Sequence, residues 1–155
     1  MAGLASRGSA PPFLDTNVLL YLLSADASKA DRAEALLASG ATIGVQVLNE
    51  FAHVARRKLG MAWSEVEEVL GLIRQRCSVR PLKLAVHEQA MQLAQRHGFA
   101  WYDALIVSAA LDAKAPVLYS EDMHDGLEVA SPDGAASLMI SNPFTAPLRE
   151  ARWSP

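Results

Sequence analysis

Four carboxylates lie in stretches that otherwise favour burial. Asp15 interrupts FLDTNVLLYLL, Glu50 flanks the apolar stripe of Val47, Leu48, Phe51, Val54 and Ala55, Asp103 heads ALIVSAALDA, and Asp122 follows VLYS two residues on. An acid taken out of water without a partner is penalised by several kcal/mol, so each must find hydrogen-bond donors, an opposite charge or a cation. Taken singly, ordinary roles suffice: Asp103 as a helix N-cap, Asp15 and Asp122 as turn acids, Glu50 as a surface helix residue. Taken together they ask for more, because like charges brought into one low-dielectric cleft cannot all stay ionised unless a cation joins them. Oxygen ligands alone select a hard ion, Mg²⁺ or Mn²⁺, which activates water and steadies charge building on a phosphoryl oxygen.

Other chemistries lack their residues. His53, His87, His97 and His124 form no HxH or HxxxH pattern for zinc, and there is neither a glycine-rich phosphate loop nor a serine nucleophile elbow. Cys77 is the only cysteine, so it forms no internal disulfide and reads as a core residue. A phosphatase of the haloacid-dehalogenase kind needs a second Asp two residues after the first, where Asn17 stands. A receiver-like signalling module wants paired acids at the first strand and a Lys after the last, and PVLYSED supplies no such Lys.

The elements that must position the acids alternate in type. Residues 11–14 read as a short buried strand ended by Asp15, and 18–23 as a helix or turn; 27–39 has helical spacing and stops at Gly40. TIGV (42–45) reads as a strand, 46–59 as an amphipathic helix ended by Gly60, and Ser64 to Glu67 as a capping box opening a helix to about Arg76. CSVRPL is the next strand, 86–97 a helix closed by Gly98, 103–113 a helix apolar on nearly all sides, 116–119 a strand and 138–140 an edge strand. Such alternation argues an α/β sandwich around a mainly parallel sheet, whose strand C-termini gather along one edge and would bring Asp15 and Asp122 together.

The 155 residues suit one domain, and 51% hydrophobic against 20% charged residues is the balance of a soluble globular protein with a substantial core. No apolar run approaches a bilayer span, so no membrane partner is expected, and MAGLASRGSAPP reads as a flexible leader rather than a secretion signal, which points to the cytoplasm. A net charge of −3 would argue against a nucleic-acid partner, but with four acids committed to a cation the remaining charges nearly balance. Arg56 and Arg57, at the end of the Glu50 helix, are then candidates for guiding phosphates, although a helix C-terminus favours cations in any case. Trp101 and Tyr102 are expected to pack against the sheet or a dimer partner rather than to stack a base.

In this order and at these spacings, FLDTNVLLYLL, VQVLNEF, WYDALIVSAAL and LYSEDMHDG resemble the PIN-domain ribonucleases, in particular the VapC-type toxins of toxin–antitoxin pairs. The resemblance covers residues 12–141, leaving 1–11 as the leader and 142–155 as a C-terminal tail without structure of its own. It implies a three-layer α/β/α sandwich with a short, mainly parallel central sheet, and one or two Mg²⁺ or Mn²⁺ ions held by Asp15, Glu50, Asp103 and Asp122. Thr16, Asn17 and Ser120 would support those acids, with Asp122 preferred over Asp125 because it follows the strand more closely, and Glu121 would point away. It further implies a metal-dependent endoribonuclease acting on single-stranded RNA, a homodimer, and a small VapB-like antitoxin whose tail occupies the cleft. A catalytically silent PIN-type module that only binds RNA or protein is the alternative. The leader is longer than this family's usual start.

Overall fold

A computed structural model of the protein describes residues 10–145. Its six strands are β1 (Phe13–Leu14), β2 (Ala41–Gly44), β3 (Cys77–Arg80), β4 (Val117–Tyr119), β5 (Glu128–Ala130) and β6 (Ser137–Ser141). They form one sheet in the order β3-β2-β1-β4-β6-β5, parallel throughout except where β5 runs antiparallel to β6 at the edge. Six α-helices connect them: α1 (Thr16–Leu20), continued by a 3₁₀ turn (Tyr21–Leu23), α2 (Ala27–Ser39), α3 (Val45–Arg57), α4 (Trp63–Arg76), α5 (Leu84–His97) and α6 (Trp101–Asp112).

The strand order fixes the layers. From β1 to β2 to β3 the chain steps one way along the sheet, and from β3 to β4 it crosses back. Right-handed crossovers therefore put α1 to α4 on one face and α5 with α6 on the other. The core lies between: Phe13, Leu14, Ile43, Leu118 and Ile140 of the sheet are wholly or almost wholly buried, as are Val47 and Phe51 of α3. The helix α6 is buried from Ala104 to Ser108, which explains why its sequence shows no polar face.

Several boundaries differ from the sequence expectation for identifiable reasons. The first strand is only two residues long because Pro11 and Pro12 have no amide to donate, although the Pro12 carbonyl still accepts from the Thr42 amide at 2.8 Å. The fourth helix starts at Trp63, not Ser64, and the acid that caps it is Glu65, whose Oε1 accepts from the Ala62 amide at 2.8 Å. Alanine has no side-chain acceptor to return that bond, so only half of a capping box exists. The short β5 was not anticipated, since three residues with a single apolar centre carry too little alternation; its pairing with β6 creates it.

The expected tail begins inside the fold. The Arg32 Nε donates to the Pro143 carbonyl at 3.0 Å and the Phe144 ring meets Tyr21 edge-on at 4.7 Å, so Asn142 to Thr145 form a packed turn. The leader up to Ser9 and the tail from Ala146 lie outside the described residues. Cys77 is buried, and burial pushes its thiol up to about 11, which suits an inert core residue. Among the described residues no helix is long and apolar enough to cross a membrane.

Gly98 closes α5 in the left-handed region at φ 71°, with its amide on the Ala94 carbonyl at 2.8 Å. A Cβ there would meet nothing within 4 Å, so the cost of a side chain is purely conformational. Gly98→Ala is expected to lower stability by about 1 kcal/mol, measured by urea unfolding, without disturbing α6.

Candidate active site

Because β1 and β4 are parallel neighbours with Leu14 opposite Tyr119, the residues that follow them emerge side by side. The Asp15 amide donates to the Tyr119 carbonyl at 3.0 Å, holding the two loops together. Asp15 itself is 7% exposed and N-caps α1: its Oδ1 accepts from the Thr16 amide at 2.7 Å, and its Oδ2 accepts from the fully buried Ser120 hydroxyl at 2.8 Å. The Thr16 hydroxyl turns the other way and donates to Glu50 Oε1 at 2.8 Å. That bond draws Glu50 from the flank of α3 toward the strand ends, the inward direction expected of it.

Asn17 ties the two loops together. Its Nδ2 donates to Asp122 Oδ2 at 2.9 Å and lies 3.3 Å from Ser120 Oγ and 3.4 Å from Asp15 Oδ2, while its Oδ1 accepts from the Glu121 amide at 3.2 Å. Asp103 arrives from the opposite face of the sheet. It is the third residue of α6 rather than its cap, since the helix begins at Trp101 after Ala100. Its place in the first turn still sets it among unpaired backbone amides at the positive end of the helix dipole.

Electrostatics link the four acids into one neighbourhood. Burial first, then the charges of Glu50 and Asp103, raise the Asp15 carboxyl to about 6 against the opposing pull of its hydrogen bonds from Ser120 and Thr16. Asp103 is shifted upward by burial and then by Asp122 and Glu50. Among the described residues, no Lys or Arg forms an ion pair with any of the four. The cleft therefore holds an uncompensated negative charge made wholly of oxygen donors, which is the ligand chemistry of a hard divalent cation. Yet no three His, Cys, Asp or Glu side chains among the described residues stand in position to hold a metal ion as they are. Asp15, Glu50 and Asp122 are turned to Thr16, Ser120 and Asn17 instead, the arrangement expected where like charges settle on nearby neutral donors. The donor set fits a cation in its chemistry, with those three residues fixing where the carboxylates start from.

The neighbouring acids serve other ends. Glu121 turns to Lys29, whose Nζ lies 2.8 Å from its Oε2, and accepts a short hydrogen bond from the Tyr21 hydroxyl. Partial burial opposes ionisation there, but the bonds from Lys29 and Tyr21 hold the carboxyl below its ordinary range. Asp125 Oδ1 accepts from the Asn142 amide at 2.9 Å and so ties the loop between β4 and β5 to the residue that follows β6. Sequence reasoning missed the Lys29 and Tyr21 anchor, and no local signal could have shown it, since Lys29 and Glu121 are 92 residues apart. Arg56 and Arg57 lie in the last turn of α3, roughly 10 Å along the axis from Glu50. Arg56 Nη1 donates to the Met61 carbonyl at 2.8 Å and its guanidinium stacks 4.6 Å from the Trp63 ring. Trp101 packs edge-on against His87 at 5.3 Å, but Tyr102 is 64% exposed and so does not pack on the sheet, the first of the two roles expected of it beside a dimer contact.

A parallel sheet whose C-terminal edge carries an acidic cleft, flanked by helices on both faces, is the class of protein that this fold and site define. The PIN domain model matches residues 13–125, and the chain belongs to the PIN-domain family. No curated protein matches the chain. Solved structures share the fold at low identity. A toxin–antitoxin complex from Klebsiella pneumoniae is 17% identical, with a TM-score of 0.62 over 87% of this chain and 99% of that one. VapC20 of Mycobacterium tuberculosis, a toxin that cleaves the sarcin–ricin loop, is 21% identical with a TM-score of 0.58 over 71% and 88%. FitAcB from Neisseria gonorrhoeae is 20% identical with a TM-score of 0.55 over 86% and 99%.

Proposed function

We propose that the protein is a metal-dependent endoribonuclease that cleaves single-stranded RNA, acting as the toxin of a toxin–antitoxin pair. One observation carries the reading: four acids from four separate parts of the chain, Asp15, Glu50, Asp103 and Asp122, perturb or tether one another in one cleft where no described basic residue neutralises them. Likeness of fold to a toxin–antitoxin complex and to a VapC toxin supports the partner, a VapB-like protein, and the wider resemblance supports a homodimer working in the cytoplasm.

Asp15, Glu50, Asp103 and Asp122 would hold one or two Mg²⁺ or Mn²⁺ ions, which when bound supply charge neutralisation at the scissile phosphate and acidify water. The chain's own contribution is placement. Thr16 fixes one oxygen of Asp15 through its amide and one of Glu50 through its hydroxyl, Ser120 fixes the second oxygen of Asp15, and Asn17 fixes Asp122. Asp15, Glu50 and Asp122 are thus oriented before substrate arrives, which limits reorganisation during reaction. Water attacks phosphorus in line, the bond to the 3′-oxygen breaks, and that oxygen takes up a proton, leaving a 3′-hydroxyl and a 5′-phosphate.

Incubated with single-stranded RNA, the protein is expected to cleave with Mn²⁺ or Mg²⁺, to stop when a chelator is added, and to lose cleavage in Asp103→Asn while its circular dichroism is unchanged. Cleavage that survives chelation would remove the metal from the account. A second reading, a catalytically silent PIN-type binding module, is favoured by the lack of a ready-made three-acid cage and is the outcome if RNA binds but stays intact.

A further inference from the structure

Beside the acids, α3 and α6 leave a cleft of about 420 Å³, within the size range of ligand pockets. Glu50 forms part of its wall, so it opens directly onto the acidic site. Leu82 and Leu105 supply apolar surface, Gln46, Asn49 and His53 a polar edge, and Tyr102, a residue 64% exposed, an aromatic ring. Gln46 Nε2 donates a long bond to the Tyr102 carbonyl at 3.4 Å, which sets its amide beside the Tyr102 ring at the cleft edge. Asn49 and His53 also line the next cleft along α3, whose far side is Arg56, Arg57 and Trp63.

We propose that this cleft seats a nucleobase of the RNA strand next to the scissile phosphate, with the strand continuing along α3 toward Arg57. The inference rests on the ribonuclease reading and names where that reading's substrate is recognised. Three features point to a base rather than to a protein surface. An aromatic face of low conformational cost stands at the rim, where any base can stack. Amide and imidazole groups, which both donate and accept, line one side, as recognition of an unpaired base edge requires. The basic residues follow at one end only, matching a phosphate chain that leaves the acids in that direction.

The test measures binding and cleavage separately on the full chain. In chelator, Tyr102→Ala is expected to weaken binding of a fluorescein-labelled single-stranded oligoribonucleotide roughly tenfold, and Tyr102→Phe to retain it. With Mn²⁺, Gln46→Glu is expected to change which nucleotide flanks the cleaved bond. Wild-type affinity in Tyr102→Ala, with cleavage and its base preference intact, would overturn the base site and leave the nuclease standing. Binding that depends on Tyr102 without any Mn²⁺-dependent cleavage would do the reverse. If Tyr102→Ala instead splits a dimer in sedimentation while RNA affinity holds, the surface is a contact between copies and the proposal falls.

Discussion

Asp15→Asn is expected to abolish RNA cleavage and, in chelator above pH 6, to make the protein more stable. The loss follows from removing the most buried of the four acids. If it helps hold an ion that lowers the barrier by several kcal/mol, the rate falls roughly a thousandfold or more. The gain in stability follows from the sign of its shift. Burial and then its acidic neighbours raise the Asp15 carboxyl from an ordinary 3.8 to about 6, so the folded protein binds this proton more tightly than the unfolded chain does. Stability attached to this group is therefore highest at low pH and is lost as pH rises from about 4 through 6, by an amount on the order of 3 kcal/mol. Asparagine keeps an oxygen for the Thr16 amide and carries no charge, so it escapes that loss. Urea unfolding in chelator at pH 8 should favour the variant, and the difference should close near pH 4. Added Mg²⁺ should stabilise the wild type and not the variant, because only a folded state that binds the ion gains from it. A stability difference between variant and wild type that does not change from pH 4 to pH 8 would show that Asp15 is not under electrostatic load.

Asn17→Asp is the second. It keeps the shape and the acceptor that takes the Glu121 amide, but replaces the group that donates to Asp122 at 2.9 Å and approaches Asp15 at 3.4 Å with a third carboxylate. The lost donor alone is worth about 1–3 kcal/mol, and repulsion adds to it. In chelator the variant should therefore unfold well before wild type, and before Asn17→Ala, which loses the bond without adding charge. Cleavage should fall at least about a hundredfold, since Asp122 is no longer held. Mn²⁺ should recover part of the stability of the Asp variant and none of the Ala variant's deficit, read from melting temperatures with and without the ion. Equal stability of the two variants in chelator would mean that the acids do not share one field.

These expectations separate what the chain encodes locally from what the fold adds. Alternating periodicity made the α/β architecture and the parallel sheet legible, because each element must bury one face and parallel strands need helical crossovers between them. The same logic placed Asp15 and the segment of Ser120 to Asp122 at neighbouring strand ends, where β1 and β4 lie side by side. It also drew Glu50 inward, although nothing in its own helix names the Thr16 hydroxyl that receives it.

Tertiary structure alone decided the rest. The preference for Asp122 over Asp125 was legible from its distance to the strand, but the partners were not: Asn17, 105 residues earlier, donates to Asp122, while Asp125 accepts from the Asn142 amide. Glu121 is turned aside by Lys29 and Tyr21, Tyr102 stands out in solvent beside a cleft, and β5 exists through its pairing with β6. Periodicity reports which face of an element is buried, whereas these outcomes depend on which side chain lies opposite, and that is a property of contacts between residues far apart in the chain.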